Sequence, residues 1–121
     1  MRYFLRSVFF ALRGIYYFFK SERNGQIQGA IGLLAVIAGC FFHLQKIEWL
    51  FLFLCIGAVI SLEMLNSAIE RVCNMHSTDF HPAIKIIKDL SAAAVLWMAI
   101  IAVVIGAIIF LPYIARLLGS S

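Results

Sequence analysis

The stretch WLFLFLCIGAVISLEMLNSAIERVCN, from Trp49 to Asn74, decides the fold of this chain. From Trp49 to Leu62 it carries no charge, which is typical of a helix inside a lipid bilayer. Polar side chains then follow at Glu63, Asn66, Ser67 and Glu70. On a helix these four positions share one face roughly 100° wide. The stretch therefore predicts a membrane-spanning helix with a polar face toward one of its ends.

The composition of the whole chain agrees with a membrane location. Of 121 residues, 64% are hydrophobic and 13% are charged, whereas soluble domains are about 45–50% apolar and about 25% charged. Disorder is excluded because it needs low hydrophobicity and high charge. A chain this short cannot bury so much apolar surface in its own core. We therefore expect a single membrane domain over residues 1–121.

Three stretches are long and apolar enough to cross a bilayer, which takes about 20 helical residues. The predicted transmembrane helices cover residues 25–44, 48–72 and 88–115. Eight of the ten Lys and Arg residues lie before the first span or between the second and third, and only Lys46 and Arg116 lie on the other side. The positive-inside rule then predicts a multi-pass protein of the inner, cytoplasmic membrane, with its N-terminus in the cytoplasm and its C-terminus outside.

Residues 1–22 are predicted to form an amphipathic helix in the membrane interface. Its cations Arg2, Arg6, Arg13 and Lys20 fall on one narrow stripe at about 100° per residue, and aromatic and aliphatic side chains cover the other faces. A secretory signal would have an uninterrupted apolar run instead. The alternative is a fourth short span, and the four charges on one stripe argue against it.

The two carboxylates of the predicted polar face lie at different depths. Ionisable groups inside a bilayer cost several kcal/mol and are usually functional, although Asn66 and Ser67 could also serve helix packing. Glu63 is about 10 Å deeper than Glu70 along the helix. Glu63 is therefore predicted to lie at a depth that the hydroxyl end of a membrane lipid reaches, and Glu70 at the boundary, where water-borne ligands reach it.

More polar groups are predicted to lie at the same membrane boundary: Glu22 before the first span, Lys88 and Asp89 before the third, and His76 and His81 in the connecting segment. They could simply be solvated helix ends. Carboxylates beside a lysine are also what binds a divalent metal and phosphate, and the spacing slightly favours this second interpretation.

Common soluble catalytic designs are missing from the sequence. It has no phosphate-binding loop of the GxxxxGK[ST] type, no kinase catalytic loop, no GxSxG elbow and no HExxH. Its three cysteines form no CxxC motif, so neither a disulfide framework nor a zinc site is indicated. The net charge of +4 is not gathered in a dense basic run, so nucleic acid is not expected as a partner.

The string Glu63-Met-Leu-Asn66-Ser67-Ala-Ile-Glu70 resembles the E-x-x-N-[ST]-A-I-E signature of the small prokaryotic diacylglycerol kinases, a family that includes undecaprenol kinases. The resemblance covers nearly the whole chain. It extends to Glu22-Arg23-Asn24, to Phe80-His81-Pro82, and to Lys88-Asp89 followed by Ser91-Ala-Ala-Ala-Val.

The resemblance implies a homotrimer of three-span subunits, with active sites shared between neighbours, that transfers the γ-phosphoryl group of ATP, with Mg²⁺, to a lipid hydroxyl. By position, Glu63 matches the catalytic base, and Glu22 and Glu70 match metal ligands. The same comparison implies an ATP site formed by Glu22, Asn66, Glu70, Asp79, Phe80, His81, Lys88 and Asp89.

The chain also departs from the family pattern. Gln28 stands where relatives often carry Glu or His, and Asn74 stands where Asp is usual. A neutral Gln28 can donate to a lipid ester carbonyl, so Asn24 and Gln28, with Glu63, are the candidate lipid contacts, and diacylglycerol is placed slightly ahead as acceptor. The pair His81-Pro82 and the tail 109–112 look more like the undecaprenol-kinase branch.

Taken together, the sequence predicts an all-α integral membrane lipid kinase with a surface helix, three spans and a trimeric assembly. Two rival classes remain: a membrane assembly subunit whose polar face only seals helix contacts, and an ion carrier that uses Glu63. Lipid-dependent release of ADP from purified protein distinguishes the kinase from both.

The charge asymmetry makes the topology testable. A reporter fused after Ser121 should be extracytoplasmic, and one inserted near Ser77 should be cytoplasmic, because eight of the ten cations then lie inside. Finding both reporters on one side would contradict the three-span arrangement.

Overall fold

The chain folds into four α-helices in the computed structural model, which describes residues 1–76, 79 and 81–119. The helices are α1 (Arg2–Ser21), α2 (Arg23–Phe42), α3 (Lys46–His76) and α4 (Pro82–Leu117). No β-strand occurs within those residues. By length and composition α2, α3 and α4 could each cross a membrane, and no other described helix meets the same criteria. The predicted all-α class with three apolar spans is confirmed.

The helices do not share the limits of the predicted spans. α3 continues to His76, beyond the predicted limit at 72, and α4 begins at Pro82 rather than at 88. Hydropathy marks only the apolar part of a helix, whereas the backbone hydrogen bonds continue into the polar ends. Pro82 suits a helix start because its fixed φ angle is already helical and its missing N–H is not needed there.

Two short connections set the chain direction. Glu22 alone separates α1 from α2, and its extended backbone (φ −94°, ψ 120°) breaks the helix. At the end of α2, His43 adopts the left-handed conformation with φ 56°. The Leu44 N–H then donates to the Gly39 carbonyl at 3.2 Å and the His43 N–H to the Cys40 carbonyl at 3.4 Å, which is a Schellman cap.

The start of α3 is tied to the far part of α4. Glu48 accepts a hydrogen bond from the backbone N–H of Gln45 at 2.9 Å, as the acid of a capping box does. The same carboxylate accepts a hydrogen bond from the Tyr113 hydroxyl. Arg116 lies over the Tyr113 ring, with its guanidinium carbon 4.9 Å from the ring centroid.

A buried apolar cluster lies at this same end. Leu44, Leu52 and Ile109 form its buried core, at the opposite end of α3 from the polar face. Glycines let α2 approach its neighbours closely. A Cβ atom at Gly39 would come within 2.7 Å of the Trp49 ring.

Most of the apolar surface is left uncovered. The accessible surface is 9137 Å², against about 6,600 Å² for a compact soluble chain of this mass. In a membrane-spanning chain, exposed apolar side chains contact lipid or another subunit. Helix α1 is the most exposed of the four, and Phe18 is its buried side chain. The Phe18 ring packs against Gly25, where an added Cβ atom would lie 2.6 Å from the ring.

Candidate active site

Helix α3 places its polar residues as the periodicity predicts. Glu63 and Asn66 are buried, with 4% and 5% of their surfaces exposed, whereas Glu70 is exposed. The polar face therefore passes from a shielded part of the helix to an open end.

Glu63 has a buried side-chain oxygen, Oε1, that makes no hydrogen bond within the described part of the chain. Buried polar atoms are nearly always paired in proteins, and those that are not call for an explanation such as a ligand. One turn before Glu63 on α3, Val59 is buried, and the preceding residues from Trp49 to Ala58 are apolar.

Asn66 connects two helices at the level of the polar face. Its Oδ1 accepts a hydrogen bond from the Ser91 hydroxyl of α4 at 2.6 Å. Its Nδ2 donates to Glu70 Oε1 at 3.5 Å, at the limit of hydrogen bonding. Since the Ser91 bond fixes which end of the amide faces α4, the amide N–H groups are turned toward Glu70.

The end of α1 is joined to the end of α3 by an ion pair. Arg71 Nη2 lies 2.7 Å from Glu22 Oε1, and Arg71 Nε donates to the same oxygen at 3.1 Å. The guanidinium carbon also lies 4.9 Å from the centre of the Tyr17 ring on α1. Glu22 is therefore held beside the residue that follows Glu70.

The start of α4 adds two lysines with different partners. Lys88 Nζ donates to the neutral Asn74 amide oxygen at 2.6 Å, and Lys85 Nζ forms an ion pair with Asp89 at 2.6 Å. His81 is exposed and precedes α4 as its N-cap residue. Asp79 is exposed as well, and Phe80 lies outside the described residues.

Of the candidate lipid contacts, Asn24 is exposed and Gln28 is half-buried. Gln28 lines one end of a cavity of about 350 Å³ between α2, α3 and α4, whose other walls are apolar and include Cys55, Val59 and Ala99. The neighbouring Gln26 does not point there, because its Nε2 donates to the Lys20 carbonyl at 2.9 Å.

Comparison with known proteins identifies the family. The sequence model described as prokaryotic diacylglycerol kinase matches residues 9–110. An undecaprenol kinase of Bacillus subtilis is 41% identical over 109 residues, which covers 90% of this chain and 89% of that protein. Diacylglycerol kinases of Synechocystis and Escherichia coli K12 are 36% and 29% identical, over 94% and 83% of this chain and over 66% and 82% of their own lengths.

The chain belongs to the prokaryotic diacylglycerol kinase family.

Membership makes the protein an enzyme, a multi-pass lipid kinase that uses a nucleotide and acts on a membrane lipid. The two rival classes, an assembly subunit and an ion carrier, do not fit the family. The predicted resemblance is confirmed, and it covers most of the chain.

The described carboxylates of the kinase do not form a closed metal site. Among the described residues, no group of three or more His, Cys, Asp or Glu side chains is arranged as a metal site. A closed all-protein cage is therefore absent from that part of the chain. Mg²⁺ in kinases is usually bound by one or two carboxylates together with substrate phosphates, and Glu22 and Glu70 offer such carboxylate oxygens.

The contacts of two residues, Arg71 and Ser91, are not predicted by the sequence. Arg71 follows Glu70 directly, and this position is the one signal that points to it. Ser91 stands near the start of an apolar helix, where a lone hydroxyl is a weak signal. Neither partner could be assigned, because both contacts join residues far apart in the sequence.

The Ser91–Asn66 bond can be tested through stability. Ser91→Ala leaves the buried Asn66 Oδ1 without its donor. We expect the free energy of unfolding in detergent to fall by about 1–2 kcal/mol, at the upper end for hydrogen bonds between membrane helices. The matched control Ser61→Ala, on an exposed part of α3, should change it by less than about 0.5 kcal/mol. Equal effects of the two substitutions would contradict the bond.

Proposed function

We propose that the kinase transfers the γ-phosphoryl group of ATP to the hydroxyl of a membrane lipid, at a site on the cytoplasmic end of α3, with Glu63 as the general base. The observation that carries the proposal is the buried, unpartnered Glu63 Oε1 on the same helix face as Asn66 and Glu70. A carboxylate oxygen left free at this depth suits a lipid hydroxyl as its hydrogen-bond donor.

Proton acceptance by Glu63 fits the requirements of phosphoryl transfer. The lipid oxygen forms the new bond to the γ-phosphorus, the bond from that phosphorus to the bridging oxygen of ADP breaks, and the hydroxyl proton moves to Glu63. The reaction asks the protein mainly for alignment and charge neutralisation. A general base in hydrogen-bond reach of the hydroxyl completes the alignment.

Glu22 and Glu70 are the residues proposed to hold Mg²⁺. When bound, the ion neutralises charge on the β- and γ-phosphates. Glu22 comes from the α1–α2 junction and Glu70 from α3, so the two carboxylates approach the nucleotide from different helices. The ion pair that links Glu22 to Arg71 supports this assignment, because it brings the Glu22 carboxylate to the residue that follows Glu70 on α3.

The remaining nucleotide contacts are proposed on the residues around the α3–α4 connection. Lys88 is suited to phosphate because its partner, Asn74, is neutral and leaves its charge available. Asn66 has its amide N–H groups turned toward the open end of the polar face. Asp79, Phe80, His81 and Asp89 complete the proposed ATP site.

The membrane arrangement extends this proposal. We place α1 in the cytoplasmic interface of the inner membrane, with the N-terminus inside and the C-terminus outside, as its cation stripe and the charge asymmetry support. We place the kinase in a homotrimer with shared active sites. The large exposed apolar surface of the single chain and its unpartnered Glu63 atom support such an assembly.

Two acceptor lipids have separate support. Diacylglycerol carries ester carbonyls that need donors, and the half-buried Gln28 amide can donate into the apolar cavity between the helices. Undecaprenol carries only hydrocarbon beside its hydroxyl, and a relative at 41% identity is named for it. We propose that the kinase accepts both alcohols, with diacylglycerol slightly ahead.

The roles of the two acids on α3 can be separated by kinetics. Glu63→Gln should lower kcat by about 10²- to 10⁴-fold, the usual contribution of a general base, and leave the KM for ATP nearly unchanged. Glu70→Gln should instead raise the magnesium concentration that gives half-maximal rate. Lipid-dependent ADP release by purified kinase in mixed micelles measures both.

Glu48→Gln provides the matched control, since Glu48 lies at the other end of α3 and an amide oxygen can still accept its two hydrogen bonds. It should change the rate less than about twofold. A Glu63→Gln protein that keeps its kcat and loses only ATP affinity would make Glu63 a binding residue. Unchanged magnesium dependence in Glu70→Gln would refute its role as a ligand.

Acceptor choice is tested by phosphate transfer to each lipid in matched micelles, repeated with Gln28→Leu. We expect both lipids to be phosphorylated. The substitution should lower the rate with diacylglycerol by about 3- to 10-fold, the worth of one neutral hydrogen bond, and leave undecaprenol unaffected. A strong preference for undecaprenol that the substitution does not alter would overturn both the ranking and the role of Gln28.

A further inference from the structure

Arg71 makes contacts that no step of the proposed reaction uses. It lies at the cytoplasmic end of α3, directly after Glu70, and both of its contacts are with the end of α1. Its guanidinium donates twice to Glu22, at 2.7 and 3.1 Å, and its guanidinium carbon lies 4.9 Å from the centre of the Tyr17 ring. Glu22 and Tyr17 are thus held by one side chain of another helix.

The geometry at Glu22 leaves one oxygen free. Both guanidinium hydrogen bonds go to Oε1, and none from the described residues goes to Oε2. A guanidinium often donates to both oxygens of a carboxylate. Here it fixes the direction of the carboxylate and leaves Oε2 available to a further ligand.

The exposure of the pair argues against a purely structural role. The Arg71 side chain is 54% exposed and the Glu22 side chain 24% exposed. Exposed ion pairs contribute little to folding stability. The backbone at Glu22, however, is the one extended residue between α1 and α2. A contact there therefore affects where the carboxylate points more than whether the helices form.

We propose that Arg71 is a positioning residue that clamps Glu22 through Oε1 and so presents Oε2 to the divalent metal of the nucleotide complex. The inference rests on the proposed function, in which Glu22 is a metal ligand. Hydrogen-bond partners of metal-binding carboxylates orient them, and their loss typically lowers metal affinity or activity by about 10- to 100-fold. Tyr17 supports the clamp by holding the guanidinium over its ring.

The test compares Arg71→Gln and Arg71→Lys with wild type and with Arg23→Gln. Arg23 is an exposed arginine beside Glu22 with no assigned role, so its substitution matches the loss of charge. Binding of Mn²⁺ with a non-hydrolysable ATP analogue is followed by electron paramagnetic resonance. We expect about 10- to 100-fold weaker Mn²⁺ binding in Arg71→Gln, a smaller loss in Arg71→Lys, and no change in Arg23→Gln.

Two further measurements separate positioning from other roles. At saturating Mg²⁺ and ATP, Arg71→Gln should keep a kcat close to that of wild type, because a saturating concentration fills the metal site even when its affinity is lower. Without metal or nucleotide, backbone amide exchange over residues 18–25 should be faster in Arg71→Gln than in Arg23→Gln, because the end of α1 is released.

Unchanged Mn²⁺ affinity in Arg71→Gln would overturn the clamp, whether or not kcat falls. If wild type released no ADP with any lipid, the proposed function would fail instead. The amide exchange measurement would still decide whether Arg71 holds the end of α1.

Discussion

The burial of one carboxylate inside a membrane helix is the constraint on which the rest of the structure depends. Glu63 is buried in α3 and keeps one oxygen without a partner among the described residues. An acid at that depth costs several kcal/mol, so it persists only beside other polar groups or a ligand. Asn66, one turn further along α3, accepts a hydrogen bond from Ser91 of α4, which ties the shielded part of the polar face to a second helix. The packing of α3 against α4 therefore serves the site as well as the fold.

The two ends of the helix bundle have different characters. At one end, Leu44, Leu52 and Ile109 are buried, and Glu48 joins the start of α3 to Tyr113 of α4. At the other end, Glu70, Asp89 and His81 are exposed, and an ion pair and single hydrogen bonds join the helices beside the buried Cys73 and Ile84. A closely packed end keeps the register of the helices fixed. Under the proposed function, the open polar end binds the nucleotide, and the packing on which that register depends is left undisturbed.

Sequence reasoning succeeded where a pattern is local to one helix. The three apolar spans follow from hydropathy, and the shared face of Glu63, Asn66 and Glu70 follows from the helical repeat. It failed where the outcome depends on the register between helices. The Arg71–Glu22 pair joins residues 49 positions apart, and the Ser91–Asn66 bond joins residues 25 positions apart. The helix limits at His76 and Pro82 also differ from the limits of the predicted spans, because the run of apolar residues is shorter than the run of helical hydrogen bonds.

In the proposed reaction, the acids of α3 act on two substrates from different phases, one in the membrane and one in water. The lipid substrate and the nucleotide never share a phase, so the reacting atoms must meet at the boundary. Glu63 and Glu70 lie about 10 Å apart along one continuous helix, and no hinge is needed between them. In the proposed site, Glu22 at the α1–α2 junction adds an acid that α3 alone cannot supply. Because Glu22 is the single extended residue between α1 and α2, its carboxylate is directed by whatever it contacts, and in this kinase that contact is Arg71.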